Sequence, residues 1–118
     1  MRRTRLYDRE FAIPLGRNIF IRVGFDLKNG QVLNFRIQLE LHKNDDEIKV
    51  IRRYDTAHGR PHVDKYDRPD PKTGEYEKIF FDIDNIKECM SGVSGAINYL
   101  KENHVMIIER YLRKHKND

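Results

Sequence analysis

The sequence contains little that would support disulfides, thiolate metal sites or membrane insertion. Its one cysteine, Cys89, cannot form an internal disulfide, and no second thiol is present for a cysteine-based zinc site. No apolar run approaches the roughly 20 residues that cross a bilayer, and residues 1–5 lead into no apolar signal region. We therefore predict a cytoplasmic protein that has no membrane partner.

Motifs of several enzyme classes are also missing. The chain has no Walker-type phosphate loop, no dinucleotide-binding glycine motif and no Gly-x-Ser-x-Gly elbow. These absences argue against nucleotide hydrolysis and serine esterase chemistry, and nothing in the sequence calls for a cofactor.

Length and charge indicate one domain and a polyanionic partner. A chain of 118 residues with 38% hydrophobic content suits a single core, so we predict one domain over residues 1–118. The net charge of +4 favours a partner such as RNA, because Lys and Arg displace counterions from phosphates. Charged residues of both signs make up 36% of the chain, however, so an ordinary solvated surface explains the composition equally well.

Apolar and polar residues alternate along much of the first half, which is typical of β-strands. The two longest alternating segments are residues 19–27 and 33–41. A third long strand is predicted to end at Asp55, a shorter strand is predicted around residues 10–13, and another strand is predicted at residues 76–83. The sequence therefore predicts about four to five strands.

The C-terminal part is predicted to be helical. Apolar residues recur at spacings of three and four from a start at Ser91 or Ser94 as far as Tyr111. Residues 58–74 carry three prolines and many charges, so we expect a loop there. Together these patterns predict an α+β fold, in which a long C-terminal helix packs on the apolar face of an antiparallel, mostly meander sheet.

Matching the apolar faces of neighbouring strands predicts the turns. A three-residue loop at residues 28–30 keeps apolar residues together, whereas a two-residue loop there would mix apolar with polar residues on both faces. A four-residue loop at residues 43–46 does the same for the next hairpin. The two registers place Arg22 opposite Arg36, and Arg36 opposite Arg53.

This row of three arginines has two interpretations. Arginine binds phosphate through paired donors, so the row is a candidate substrate-binding surface, to which Arg60 adds a fourth cation. Alternatively, the three side chains extend into water or pair with Glu40 and Asp55, because like charges directly opposite in a sheet are unfavourable.

Residues 52–64 combine groups that can cleave a phosphodiester. Metal-independent cleavage of RNA needs a base for the 2′-hydroxyl and an acid for the leaving 5′-oxygen. His58 and His62 suit both tasks, because the unperturbed pKa of histidine is about 6.5. Arginines would stabilise the charge that develops on the phosphoryl oxygens. Tyr54 and Asp55 are predicted to orient the histidines or the substrate.

Two other interpretations of this segment stay open. Asp55, His58, His62 and Asp64 offer mixed nitrogen and oxygen ligands for a divalent ion, but their spacing matches no standard zinc pattern. We therefore predict no metal. Taken without the arginine row, the segment is better explained as a turn that starts at Asp55 and Thr56 and carries surface histidines, and the neighbouring arginines shift this balance modestly.

The layout of the chain resembles a known family. A sheet of hairpins leads to residues 53–55 (Arg-Tyr-Asp), 57–59 (Ala-His-Gly) and 61–62 (Pro-His), followed by a helix that contains Asn103 and Tyr111. This order is similar to that of the TumE-type toxin family of bacterial and archaeal toxin–antitoxin systems and its uncharacterised relatives. The resemblance implies a toxin directed at RNA or translation, with a DNA-binding antitoxin as its protein partner.

The residues and the resemblance together predict a toxin-like RNA-binding protein that acts as a metal-independent endoribonuclease. The alternative is a non-catalytic nucleic-acid-binding or protein-binding module of a defence locus, which would use the same basic surface without cleaving RNA. Partners other than RNA and an antitoxin include a second copy of the chain in a homo-oligomer.

Overall fold

The computed structural model describes residues 7–44, 46–56, 62–70, 72–80 and 89–115. These residues form one six-stranded antiparallel sheet and one long helix. The elements are β1 (Arg9–Gly16), β2 (Ile19–Lys28), β3 (Gln31–Asn44), β4 (Glu47–Asp55), β5 (His62–Lys65), β6 (Glu77–Phe80) and α1 (Cys89–Lys114). The strands are neighbours in chain order, so the sheet is a meander. The predicted α+β fold is confirmed, with a slightly higher number of strands.

The additional strand, β5, lies within the residues that were expected to form a loop. Its sequence is His-Val-Asp-Lys, and one apolar residue in four gives no detectable alternation. The strand forms because β4 and β6 supply backbone partners on both sides: Val63 lies opposite Tyr54 and opposite Ile79. The loop prediction is therefore wrong for residues 62–65.

The first long hairpin has the two-residue turn that the sequence argument rejects. Asn29 and Gly30 both have positive φ, at 52° and 77°, which is the backbone conformation of a tight primed turn. The register then shifts beyond the turn, where a β-bulge inserts Leu33 into β3. The bulge leaves Leu33 50% exposed and restores the match of apolar faces, with Phe25 opposite Phe35.

A second bulge shapes the pairing of β3 with β4. Leu39 lies opposite Arg52 and Glu40 lies opposite Val50, so Ile51 is the additional residue. Both Ile51 and Arg52 are buried. The predicted four-residue loop at residues 43–46 is wrong, because Asn44 already pairs with Glu47.

The core lies between α1 and one face of the sheet, mainly against β3 and β4. Its buried apolar side chains come from β2, β3, β4 and the helix: Ile21, Val23, Val32, Phe35, Ile37, Leu39, Ile51, Val93, Ala96, Leu100, Ile107, Ile108 and Tyr111. The predicted apolar stripe of the helix is therefore confirmed. The helix begins at Cys89, earlier than expected, and continues through Gly95 because Val93 and Ala96 gain burial. Among the described residues, no helix is long and apolar enough to cross a membrane.

A buried ion pair fixes the C-terminal half of the helix to the sheet. Arg52, on β4, donates two hydrogen bonds to the fully buried carboxylate of Asp67, at 2.8 and 2.9 Å. Arg110, on α1, donates a third to Asp67 at 3.0 Å. Burial acts to lower the pKa of Arg52, but the hydrogen bonds and the charge of Asp67 outweigh it and raise that pKa.

Replacing Asp67 with asparagine should destabilise the protein by about 3–5 kcal/mol, because it leaves the buried charge of Arg52 uncompensated. The free energy of unfolding is measured by urea denaturation followed by circular dichroism. The matched control is Asp46→Asn, an exposed position where the change should stay within about 0.5 kcal/mol. Equal stability of the two variants would contradict a stabilising role for this ion pair.

Candidate functional site

The face of the sheet opposite α1, called here the polar face, carries the candidate site. Strand alternation places two rows of side chains on it. One row runs from β2 to β6 through Arg22, Gln38, Arg53, Asp64 and Lys78. The neighbouring row runs from β1 to β5 through Glu10, Gly24, Arg36, Asp55 and His62.

The three arginines of the predicted row all lie on the same face of the sheet, as predicted, but the predicted register between them is wrong. Arg22 lies opposite Gln38 instead of Arg36, and Arg36 lies opposite Asp55 instead of Arg53. The tight turns and bulges displace each pairing by two residues. Because side chains alternate with a period of two, such a displacement keeps every arginine on the polar face while separating Arg36 from the other two.

A buried carboxylate organises the first row. Glu40 is 2% exposed and accepts hydrogen bonds from Arg22 Nε at 2.9 Å, His42 Nε2 at 2.9 Å and Gln38 Nε2. Gln38 in turn accepts a bond from Arg53 Nε at 3.0 Å. These five residues are called the Glu40 network. Burial acts to raise the pKa of Glu40, but the bonds from Arg22, His42 and Gln38 outweigh it, so the pKa lies below its ordinary value of 4.5.

The network holds two arginines by one nitrogen each. Arg22 and Arg53 are bonded through Nε, and their terminal nitrogens make no hydrogen bond among the residues that the structure describes. The side chain of Arg22 is 39% exposed. Each guanidinium can therefore still present paired donors to an anion. The expected alternative, pairing of an arginine with Glu40, is also realised at Arg22.

Arg36 is more enclosed than the other two arginines. The ring of Tyr7 lies 5.2 Å from its guanidinium carbon, and Glu10 lies 3.4 Å from one of its terminal nitrogens. Gly24 makes room for that ring, because a Cβ there would lie 2.7 Å from Tyr7 Cδ2. The Nε atom of Arg36 is buried and has no hydrogen-bond partner within the described ranges. Arg36 is thus a secondary candidate for anion binding.

Two carboxylates flank His62. Its Nε2 atom lies 3.5 Å from Asp55 Oδ1 and 3.6 Å from Asp64 Oδ2. Lys78 Nζ lies 3.5 Å from the other oxygen of Asp64. His62 is only 4% exposed, so the imidazole is well oriented but poorly accessible. The structure thus brings together Asp55 and His62, two of the predicted catalytic residues.

The other predicted catalytic residues are not part of this cluster. Tyr54 lies opposite Ile37 and packs against the core, on the face of the sheet opposite His62. Burial raises the pKa of its hydroxyl, although the nearby charge of Arg52 acts in the other direction. His58 and Arg60 lie outside the described residues.

Within the described ranges, no group of three His, Cys, Asp or Glu side chains is arranged to hold a metal ion.

Sequence reasoning named Glu40 as a possible partner of the arginines, but it missed the roles of Gln38 and His42 in the Glu40 network. Gln38, Glu40 and His42 alternate with buried Ile37 and Leu39 along β3, and this period-two pattern was the signal that could have placed them beside Arg22. Their mutual hydrogen bonds depend on the register, which the bulges change.

Comparison with known proteins identifies a family. A family described as a domain of unknown function (DUF7718) matches residues 3–117. The chain belongs to this family. No curated protein and no solved structure matches the chain. The family description names no activity, so the resemblance to TumE-type toxins stays a prediction.

Replacing Glu40 with glutamine should lower the free energy of unfolding by about 2 kcal/mol at pH 7, because charged hydrogen bonds are lost. A lowered folded-state pKa stabilises the protein above the ordinary pKa, and this stability is lost as the pH falls through the lowered value. The difference between wild type and variant should therefore shrink as the pH falls below about 4.5.

Urea unfolding at pH 7, 5, 4 and 3 measures this effect. The control is Glu47→Gln, an exposed residue whose ion pair with Lys49 at 3.4 Å contributes little. A difference between wild type and Glu40→Gln that is the same at every pH would show that the carboxylate charge is not what stabilises the network.

Proposed function

We propose that this protein binds RNA through the polar face of its sheet, with Arg22 and Arg53 as the main phosphate ligands. The observation that carries the proposal is the way these arginines are held. Each is anchored through Nε to the Glu40 network, and its terminal nitrogens make no hydrogen bond to the described part of the chain. Such preorganised guanidinium groups suit phosphate oxygens, which accept paired N–H donors.

The spacing of the two arginines suits an extended polyanion better than a single small anion. They lie on β2 and β4, on either side of Gln38. Two strand spacings separate their backbones by roughly 10 Å. One phosphate group does not readily span both positions, whereas a nucleic-acid backbone presents phosphates in series.

An aromatic pair beside Arg22 supports RNA over other polyanions. The rings of Phe20 and His42 lie with their centroids 4.6 Å apart, and His42 is itself bonded to Glu40. Unstacked bases bind proteins by stacking on aromatic and histidine rings. A single-stranded segment can thus place phosphate on Arg22 and a base near this pair.

A narrower form of the proposal is a toxin-like, metal-independent endoribonuclease controlled by an antitoxin. The flanking of His62 by Asp55 and Asp64 supports it, because carboxylates orient a catalytic imidazole. His58 would be the second proton-transfer group. The competing candidate is a non-catalytic RNA-binding module, and the burial of His62 favours it, because a general base must reach the 2′-hydroxyl.

Arg22→Ala/Arg53→Ala should weaken binding of a fluorescent single-stranded RNA about ten- to a hundredfold. The slope of log K against log salt should decrease by about 1.4, because each phosphate contact to a single strand contributes about 0.7. Fluorescence anisotropy at several salt concentrations measures both quantities.

The matched control is Lys101→Ala/Arg113→Ala, which removes the same charge from exposed positions of α1, on the other side of the sheet. If both double variants bind RNA equally, net charge and not the polar face determines the affinity. If wild type binds no RNA, the proposed function is wrong.

Cleavage is tested separately. With EDTA present, the endoribonuclease form predicts that wild type cleaves the RNA and that His58→Ala/His62→Ala lowers the rate at least about a hundredfold. Circular dichroism checks that the double variant is folded, since His62 is buried. RNA binding without cleavage would support the non-catalytic module, whereas equal cleavage by the double variant would exclude these histidines as catalysts.

A further inference from the structure

The side of α1 that faces away from the sheet carries a second apolar surface. Three large apolar side chains on it are between 42% and 59% exposed: Val105, Met106 and Leu112. They are called here the outer stripe. Tyr99 is also exposed, but its ring lies toward the sheet, 5.9 Å from the guanidinium carbon of buried Arg52. Val105 and Leu112 are seven residues apart, with Met106 next to Val105, so the stripe follows the helix for about two turns. Apolar residues arranged in this way commonly mark a binding surface for another helix.

Two glutamates lie within the outer stripe. Glu102 is three residues from Val105 and four from Met106, and Glu109 is three residues from Met106 and from Leu112, so each adjoins two stripe residues. Among the described residues, neither glutamate takes part in an ion pair or a side-chain hydrogen bond. The stripe is thus an apolar surface with two negative charges, spaced seven residues apart, and exposed Arg113 lies four residues beyond Glu109.

This charge pattern argues against a second copy of the chain as the occupant. An antiparallel pair that superimposed the stripe on itself would place Val105 opposite Met106 of the copy. The same register would place Glu102 of each copy opposite Glu109 of the other copy. Like charges that face one another across an interface cost binding energy and select against the wrong partner.

We propose that the outer stripe binds an amphipathic helix of another protein, which carries apolar residues and two basic residues spaced seven apart. The apolar residues of that helix would cover Val105, Met106 and Leu112. Its Lys or Arg side chains would face Glu102 and Glu109. The outer stripe and the polar face lie on opposite sides of the sheet, so partner binding needs none of the arginines proposed to bind RNA.

The test uses two synthetic helical peptides that differ only in two positions. Both carry leucines along one face, and the positions seven apart within that face are Lys in one peptide and Glu in the other. Isothermal titration with the full-length protein should show at least tenfold tighter binding of the Lys peptide. In Glu102→Lys/Glu109→Lys protein, the preference should invert.

The controls separate the surface from net charge and from the RNA site. Glu47→Lys, on an exposed position of the sheet, should leave the preference for the Lys peptide unchanged, as should Arg22→Ala/Arg53→Ala. Equal binding of the two peptides, no binding of the Lys peptide, or a preference that survives the charge reversal would overturn the proposal. So would a dimer of the wild-type chain in analytical ultracentrifugation that Val105→Asp dissociates.

Discussion

A carboxylate buried within β3 determines how the polar face is arranged. A charged side chain that is buried as deeply as Glu40 is tolerated in a fold only when it is paired and hydrogen-bonded. Arg22, His42 and Gln38 meet that requirement from three directions, and Gln38 extends the network to Arg53. The hydrogen bonds that compensate the buried charge of Glu40 therefore also hold the two arginines in place. The same bonds reduce the conformational entropy that a ligand would otherwise have to remove from these side chains.

The features that the sequence predicts correctly are those that depend on alternation alone. Period-two patterns assign Arg22, Gln38 and Glu40 to the polar face, and period-3.6 patterns assign Leu100 and Ile107 to the core. The contacts within the site depend on register, and register depends on bulges that add one residue without an obvious signal. Apolar matching correctly requires Val23 to face an apolar partner, but it cannot tell a longer loop from a tight turn followed by a bulge.

Arg52 and Arg53 show how strongly the register of a strand determines the role of each residue. The two residues are adjacent in sequence and chemically identical, yet Arg52 is buried against Asp67 beneath the helix, while Arg53 lies on the polar face and bonds to Gln38. Exchange of their roles would place an unpaired charge in the core, which is costly. The register of β4 is therefore fixed by the energetics of Arg52. The position of Arg53 in the candidate site is a consequence of that constraint.

The candidate site also indicates which activity the fold supports with least further change. The proposed binding of phosphate by Arg22 and Arg53 would use donors that are already oriented, and one of these side chains is well exposed. Cleavage would additionally need His62 to leave, or open, its position between Asp55 and Asp64 and to reach a ribose hydroxyl. Cleavage also needs one group to take the 2′-hydroxyl proton and one to protonate the leaving 5′-oxygen, so catalysis requires a second residue, whereas binding does not.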